Sequence, residues 1–172
     1  MAIYALGDLV PLIHPTAFVH PMATVIGDVE IGEESTIWPG AVLRGDNGQI
    51  RVGARTSIQD GTVVHCGPTF PTIIGDDCVI GHLAHLEGCI LEDRCLVGSG
   101  SVVLHHAVVE SGATVGANAV VGNRKVIPAG ALAVGVPAVI KEGGSSAIVI
   151  EYSAKSYVDN GHRFRREMRQ ID

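Results

Sequence analysis

The sequence predicts a mainly β protein that winds into stacked three-sided coils and ends in an α-helix. Three observations indicate this fold. Apolar anchors recur every six residues from Ile13 to Ile127, small residues stand four positions after most anchors, and both patterns stop after Pro137. Because self-similarity at a fixed period is typical of repeat architectures, this period outweighs local helix or strand propensities.

Each six-residue unit is predicted to be a short strand followed by a turn. The anchor points into the coil, and the small residue four positions later fits a tight corner. Three units complete one coil, and equivalent strands of successive coils pair in parallel. Two short insertions and one five-residue step interrupt the series, whose members are Ile13, Val19, Val25, Ile31, Ile37, Leu43, Val52, Ile58, Val64, Ile74, Ile80, Leu86, Leu91, Val97, Val103, Val109, Val115, Val121 and Ile127.

The chain divides into coils at residues 1–138 and a linker with a C-terminal helix at 139–172, within one domain overall. A length of 172 residues suits a single domain with one core. Gly143 and Gly144 indicate a hinge, and Ser145 or Ser146 is a suitable N-cap for the helix. Gly161 predicts a break in that helix, which is expected to pack on the coils.

Composition narrows the classes of partner and compartment. A formal net charge of −6 gives no electrostatic reason to expect nucleic acid or an anionic membrane as a partner. Its first residues lack the basic flank and apolar segment of a signal peptide, and no later run approaches a membrane span. We therefore expect a cytoplasmic protein. The four cysteines form no CxxC pair and are expected to be buried core residues.

The register of the repeats brings several polar residues into one outward column. Counting anchors by threes places Val25, Leu43, Val64, Leu86 and Val103 on one face of successive coils. The residues that follow them form the column Ile26, Arg44, His65, Glu87 and Leu104, with neighbours about 4.8 Å apart.

Two further histidines lie beside this column. His85 precedes Leu86 and falls in a column that otherwise holds Val42, Val63 and Val102. His82 follows Ile80 by two residues, at a corner of the neighbouring face. It is expected to point away from His65 of its own chain.

The repeat pattern resembles the hexapeptide-repeat family, whose fold is a left-handed parallel β-helix that usually assembles as a trimer. Within that family, three segments are similar to the γ-class carbonic anhydrases: LRGDNG (43–48), IQDGTVVH (58–65) and IGHLAHLEGC (80–89). The resemblance implies a homotrimer with a zinc site between subunits, where another divalent metal such as iron or cobalt could replace zinc. It also implies CO2 and bicarbonate as substrates.

Residue by residue, the resemblance assigns roles to seven side chains. His65 and His82 match two metal ligands, with His82 reaching into the adjacent subunit, and Gln59 matches the residue that hydrogen-bonds the water on zinc. Arg44, Asp46 and Asp60 match a polar network beside the metal. Tyr157, in the predicted helix, resembles an aromatic residue near the site.

The third metal ligand of the family is absent, because Glu87 stands at its position. Three interpretations remain open. Glu87 completes a His2Glu site, as zinc accepts carboxylate oxygen; His85 substitutes for it; or the metal is lost and Glu87 pairs with Arg44 or His65 at a structural interface. A weaker site with two histidines is a further variant of the metal hypothesis. Asn47 also replaces an acidic residue of the most active members.

Bound zinc would lower the pKa of water to about 7 and so supply hydroxide for attack on CO2. A carboxylate ligand adds negative charge and weakens this effect, so we expect hydration to be weak or lost. One alternative is an acyltransferase with an acyl-CoA donor and His65 or His82 as general base. Another is a non-catalytic binding or assembly protein. The remaining histidines, including His105 and His106, are expected to be surface residues.

Overall fold

A computed structural model describes residues 2–171 of the chain, and within them it contains a β-helix followed by one α-helix. The strands are β1 (Ala2–Tyr4), β2 (Leu12–Ile13), β3 (Phe18–Val19), β4 (Thr24–Ile31), β5 (Thr36–Ile37), β6 (Val42–Val52), β7 (Ser57–Ile58), β8 (Val63–His65), β9 (Thr72–Ile74), β10 (Val79–Ile80), β11 (His85–Glu87), β12 (Ile90–Leu91), β13 (Leu96–Val97), β14 (Val102–Val103), β15 (Val108–Val109), β16 (Thr114–Val115), β17 (Val120–Val121), β18 (Val126–Ile127), β19 (Leu132–Val134) and β20 (Val139–Lys141). The helix α1 spans Ala147–Glu167.

Successive coils pair through parallel strands in the predicted register. Along one face, each anchor pairs with the equivalent anchor of the next coil. The paired residues are, in order, Val25, Leu43, Val64, Leu86 and Val103. The predicted fold class, a left-handed parallel β-helix of hexapeptide repeats with a C-terminal α-helix, is confirmed. A second face follows directly from the first, because the long strands β4 and β6 each contribute to both.

The anchors form a continuous apolar core along the inside of the coils. From Val25 to Ile127, every anchor is at most 3% exposed. The small corner residues are also buried, and Ser35, Thr56 and Ser101 among them bond backbone carbonyls of the following coil. Close stacking is therefore possible because the corners hold side chains that are small and have hydrogen-bond partners.

The third face forms a separate sheet in the order β20-β19-β16-β13-β10-β7-β5-β3, and α1 lies against its β3, β5, β7 and β10 strands. Unlike the other strands of this sheet, β20 pairs antiparallel, with β19. Trp38 lies between this sheet and the helix, with ring centroids 5.7 Å from Tyr157 and 5.1 Å from Phe164. These contacts attach the helix to the third face of the coils.

The predicted break at Gly161 is wrong, because α1 continues through this residue to Glu167. Gly161 is buried, and a Cβ there would lie 2.7 Å from Thr36 Cγ2 and 3.4 Å from Phe18 Cβ. The glycine is thus needed for the close approach of helix and sheet. Its poor helical propensity, which predicts a break, is outweighed by this packing.

Substitution of Gly161 by valine is expected to lower the free energy of unfolding by about 1–3 kcal/mol, because the new methyl groups overlap Thr36. Urea unfolding followed by circular dichroism measures this loss. The control is Asp159→Ala on an exposed position of the same helix, which should stay within about 0.5 kcal/mol of the parent. Equal stability of the two variants would contradict the assigned packing.

All four cysteines are free and buried in the core, as expected. Burial raises the pKa of the Cys89 thiol to about 12, and it also raises the pKa of Cys66. These thiols are therefore protonated at neutral pH and act as small apolar side chains. Within residues 2–171, no helix combines the length and the apolar character that a membrane span requires.

Candidate functional site

The outward column predicted from the repeat register is present on the first face of the β-helix. Strand pairing aligns Ile26 with Arg44, Arg44 with His65, and His65 with Glu87. In the adjacent column, Val42, Val63, His85 and Val102 are aligned in the same way. The repeat period therefore brings an arginine, two histidines and a glutamate together on one face.

Glu87 is the centre of this cluster, because three histidines contact its carboxylate. His65 Nδ1 lies 3.1 Å from Oε1, His85 Nε2 lies 3.1 Å from Oε2, and His105 Nε2 lies 3.5 Å from Oε1. Partial burial raises the pKa of Glu87, but the three histidine contacts outweigh it and lower the pKa to about 2. Glu87 is therefore an anion at neutral pH.

Asp46 extends the cluster on the opposite side of His65. Its Oδ1 lies 2.9 Å from His65 Nε2, and Oδ2 is bound by the guanidinium of Arg44. Burial raises the pKa of Asp46, but the contacts with His65 and Arg44 lower it by more. The net effect is a lowered pKa. His65, only 16% exposed, is thus held between two carboxylates, one at each ring nitrogen.

His105 belongs to this cluster, although the sequence predicted a surface role for it. It follows Leu104 at the turn after β14, and its ring lies 4.8 Å from that of Phe70. A Cβ on Gly88 would overlap the Phe70 ring and lie 3.1 Å from His105, so this glycine allows both rings to approach. The repeat register places His105 one coil beyond Gly88, directly after the outward column, but its turn conformation is not encoded by the repeat.

A second polar group lies at the corner where the third face meets the first. His82 Nδ1 is 2.8 Å from Asp60 Oδ2, and both side chains are about half exposed. Gln59 is buried, with 4% exposure, and hydrogen-bonds the hydroxyl of Tyr157 from α1. Burial and the Asp60 carboxylate raise the pKa of Tyr157, which Gln59 opposes, so the phenol is neutral at pH 7.

The sequence-predicted site residues thus form two groups in one chain. Arg44, Asp46, His65, Glu87 and His85 are linked by direct contacts on the first face. Gln59, Asp60, His82 and Tyr157 form the group at the corner. Among residues 2–171, no three His, Cys, Asp or Glu side chains are arranged to hold a metal ion within one chain.

The donor chemistry of both groups nevertheless suits a divalent metal shared between chains. A metal-ligating histidine usually bonds a carboxylate through its other ring nitrogen. His82 has this arrangement, because Asp60 engages Nδ1 and leaves Nε2 as a donor atom. At His65, Asp46 and Glu87 engage both nitrogens, so coordination there would require one carboxylate to release the ring.

Comparison with known proteins shows which families the chain resembles. The bacterial transferase hexapeptide (six repeats) family matches residues 11–45, 71–105 and 88–123. The mitochondrial gamma carbonic anhydrase 2 of Arabidopsis thaliana is 43% identical over 160 residues, which cover 88% of this chain and 58% of that protein. The carnitine operon protein CaiE of Escherichia coli K12 is 47% identical over 109 residues, covering 63% of this chain and 56% of that protein.

The chain therefore spans little more than half the length of these relatives. A crystal structure of an acetyltransferase candidate from Bacillus cereus matches over nearly the full length of both proteins. It is 34% identical, has a TM-score of 0.94, and covers 97% of this chain and 98% of that chain. With the repeat, the fold and these matches in agreement, the chain belongs to the hexapeptide-repeat family and is a γ-carbonic anhydrase-like member of it.

Proposed function

We propose that the protein is a homotrimer with a divalent metal site between subunits, and that its CO2 hydration activity is weak or lost. In this proposal His65 of one subunit and His82 of the next supply two ligands, and zinc is the favoured metal. Glu87 occupies the third position, with His85 as the alternative. The location remains the cytoplasmic one predicted from the sequence.

One observation carries the proposal: within a single chain, the two histidines lie in separate polar groups, each already oriented by carboxylates. His82 keeps Nε2 available because Asp60 bonds Nδ1 at 2.8 Å. His65 stands on a face whose outward column is charged at its centre and apolar at its ends. Two incomplete groups on different surfaces become one ligand set if a neighbouring subunit brings them together.

A bound zinc ion would act as a Lewis acid toward a small oxygen-containing substrate such as CO2 or bicarbonate. The protein groups would orient that substrate and hold the ligands. Gln59, fixed by Tyr157, presents an amide at the corner, and Asp60 holds the tautomer of His82. Arg44 and Asp46 hold the other side of His65. These five residues are proposed to support catalysis around the metal.

The same contacts explain why the activity should be weak. The ionised Glu87 adds negative charge to the ligand set, which reduces the acidity that the metal confers. In addition, metal binding at His65 would replace a hydrogen bond to Asp46 or Glu87, which lowers the net affinity. A metal site of moderate affinity and low hydratase activity is the expected combination.

Removal of His82 is expected to reduce bound zinc at least about tenfold, because one of three protein ligands is lost. The measurement is elemental analysis of His82→Asn after incubation with zinc and exhaustive dialysis. His162→Asn, which changes an exposed histidine on α1, is the matched control and should retain the zinc of the parent. Parent protein that binds no zinc at all would overturn the proposal.

An acyltransferase is the second candidate function, supported by the 34% identical Bacillus cereus structure. His65 or His82 would then act as general base on an acyl acceptor. The loops that project from the coils are short, because β6 is one continuous strand and the chain turns tightly at Gly67–Phe70. Thermal stabilisation by CoA or acetyl-CoA, without zinc, would favour this candidate. A chain that responds to neither ligand would favour a non-catalytic assembly role.

A further inference from the structure

A cavity of about 520 Å³ lies at the base of the β-helix, between the first coils and the end of α1. None of the site residues described above lines it. Its volume falls within the range of about 300–1,000 Å³ that is typical of small-molecule sites. The walls are mainly apolar, with side chains from Ile3, Ile13, Phe18, Val19, Phe164 and Met168. Such walls suit a ligand with an apolar body.

The ionisable groups at this cavity are all basic. His14 and Arg165 belong to its lining, and the described lining residues include no aspartate or glutamate. A larger cavity beside α1, of about 680 Å³, differs in this respect, since it is lined by both acids and bases: Glu34, Asp77, Glu151, Asp159, Arg55, Arg94, Lys155 and His162. The basal cavity therefore combines apolar walls with a local excess of positive charge.

Arg165 is held in a defined position at this cavity. Its guanidinium donates to three backbone carbonyls between β2 and β3, Pro15 at 3.4 Å, Thr16 at 3.1 Å and Ala17 at 2.5 Å. An arginine has five N–H donors, so these bonds leave about two for a ligand. Because carbonyl oxygens do not neutralise the guanidinium, it retains its full charge.

His14 adds a second donor. Its Nδ1 lies 2.9 Å from Thr16 Oγ1 and 3.3 Å from the backbone nitrogen of Thr16, so Nε2 is the ring nitrogen left for a ligand. Nε2 is therefore able to donate to an oxygen atom. A guanidinium and an imidazole N–H near an apolar chamber match a ligand with a single anionic oxygen group at one end.

We infer that the basal cavity binds a medium-chain aliphatic carboxylate, with its hydrocarbon chain among the apolar walls and its carboxylate at Arg165 and His14. This inference is independent of the proposed metal site, because the two share no residue. A neutral alcohol of the same length would bury the same chain but gain less from the guanidinium.

Isothermal titration of the protein with decanoate, and with decanol as the neutral analogue, tests the inference. Saturable binding of decanoate is expected, with decanol weaker. Arg165→Gln should raise the Kd for decanoate about tenfold, as expected for loss of a charge-assisted hydrogen bond. Arg166→Gln is the matched control, since Arg166 lies outside the cavity and contacts Glu167.

A second variant keeps the test decisive if Arg165→Gln alters the helix. Met168→Glu places an acid in the lining at a position that is 41% exposed, so folding should be preserved. It should weaken decanoate about tenfold and decanol much less. Absence of saturable decanoate binding would overturn the inference. So would equal affinities for decanoate and decanol, or a Kd that Met168→Glu leaves unchanged.

Discussion

Replacement of Glu87 by histidine is expected to raise both the zinc content of the protein and its CO2 hydration rate, the latter on the order of tenfold or more. The substitution supplies a neutral imidazole at the third ligand position and removes the carboxylate that occupies His65 Nδ1. It also removes negative charge from the site, which restores the acidity that a bound metal confers. Elemental analysis and stopped-flow hydration assays measure the two effects.

Glu151→His is the matched control for this experiment, because Glu151 is an exposed glutamate on α1, outside both polar groups. It should leave zinc content and hydration at the parental values. Protein that contains no zinc and no activity with either glutamate or histidine at position 87 would contradict the metal hypothesis. In that case Glu87 serves as a structural anion for the three histidines.

Truncation of Leu86 to alanine is expected to lower the free energy of unfolding by about 2–5 kcal/mol. Leu86 is fully buried and pairs in register with Val64 on one side and Val103 on the other. Its removal leaves a cavity in a coil whose neighbours are fixed by strand pairing, so relaxation can fill little of the space. Denaturant unfolding at fixed protein concentration measures the change, since assembly also contributes to stability.

Ile148→Ala provides the comparison for Leu86→Ala, because Ile148 is 81% exposed at the start of α1. Loss of the same kind of apolar atoms there should change the stability by less than about 0.5 kcal/mol. Similar losses for the two variants would mean that the six-residue anchors do not form the stabilising core.

The outer column of polar residues is predictable from the repeat period alone. Each anchor fixes the pairing of its strand, so the alignment of Arg44, His65 and Glu87 follows from counting. The place of His85 in a valine column follows in the same way. This part of the site can be predicted because the period of the sequence determines strand register.

Contacts that depend on turns or on the helix cannot be predicted from the repeat period. His105 reaches Glu87 from a turn, next to a Phe70 ring that another turn positions. The prediction for Gly161 is wrong because local propensity favours a break, whereas the actual role of this glycine is to permit contact with Thr36. The hydrogen bond between Gln59 and Tyr157 joins the β-helix to α1, and no local pattern encodes it.

Mixed trimers distinguish a metal site shared between subunits from a site within one chain. His65→Asn and His82→Asn chains should each bind little zinc alone, because every interface lacks one histidine. When the two are unfolded and refolded together, about a quarter of the interfaces regain both histidines. We expect zinc binding at about that fraction of the parental value. Mixtures that bind no more zinc than the separate variants would contradict a site shared between subunits.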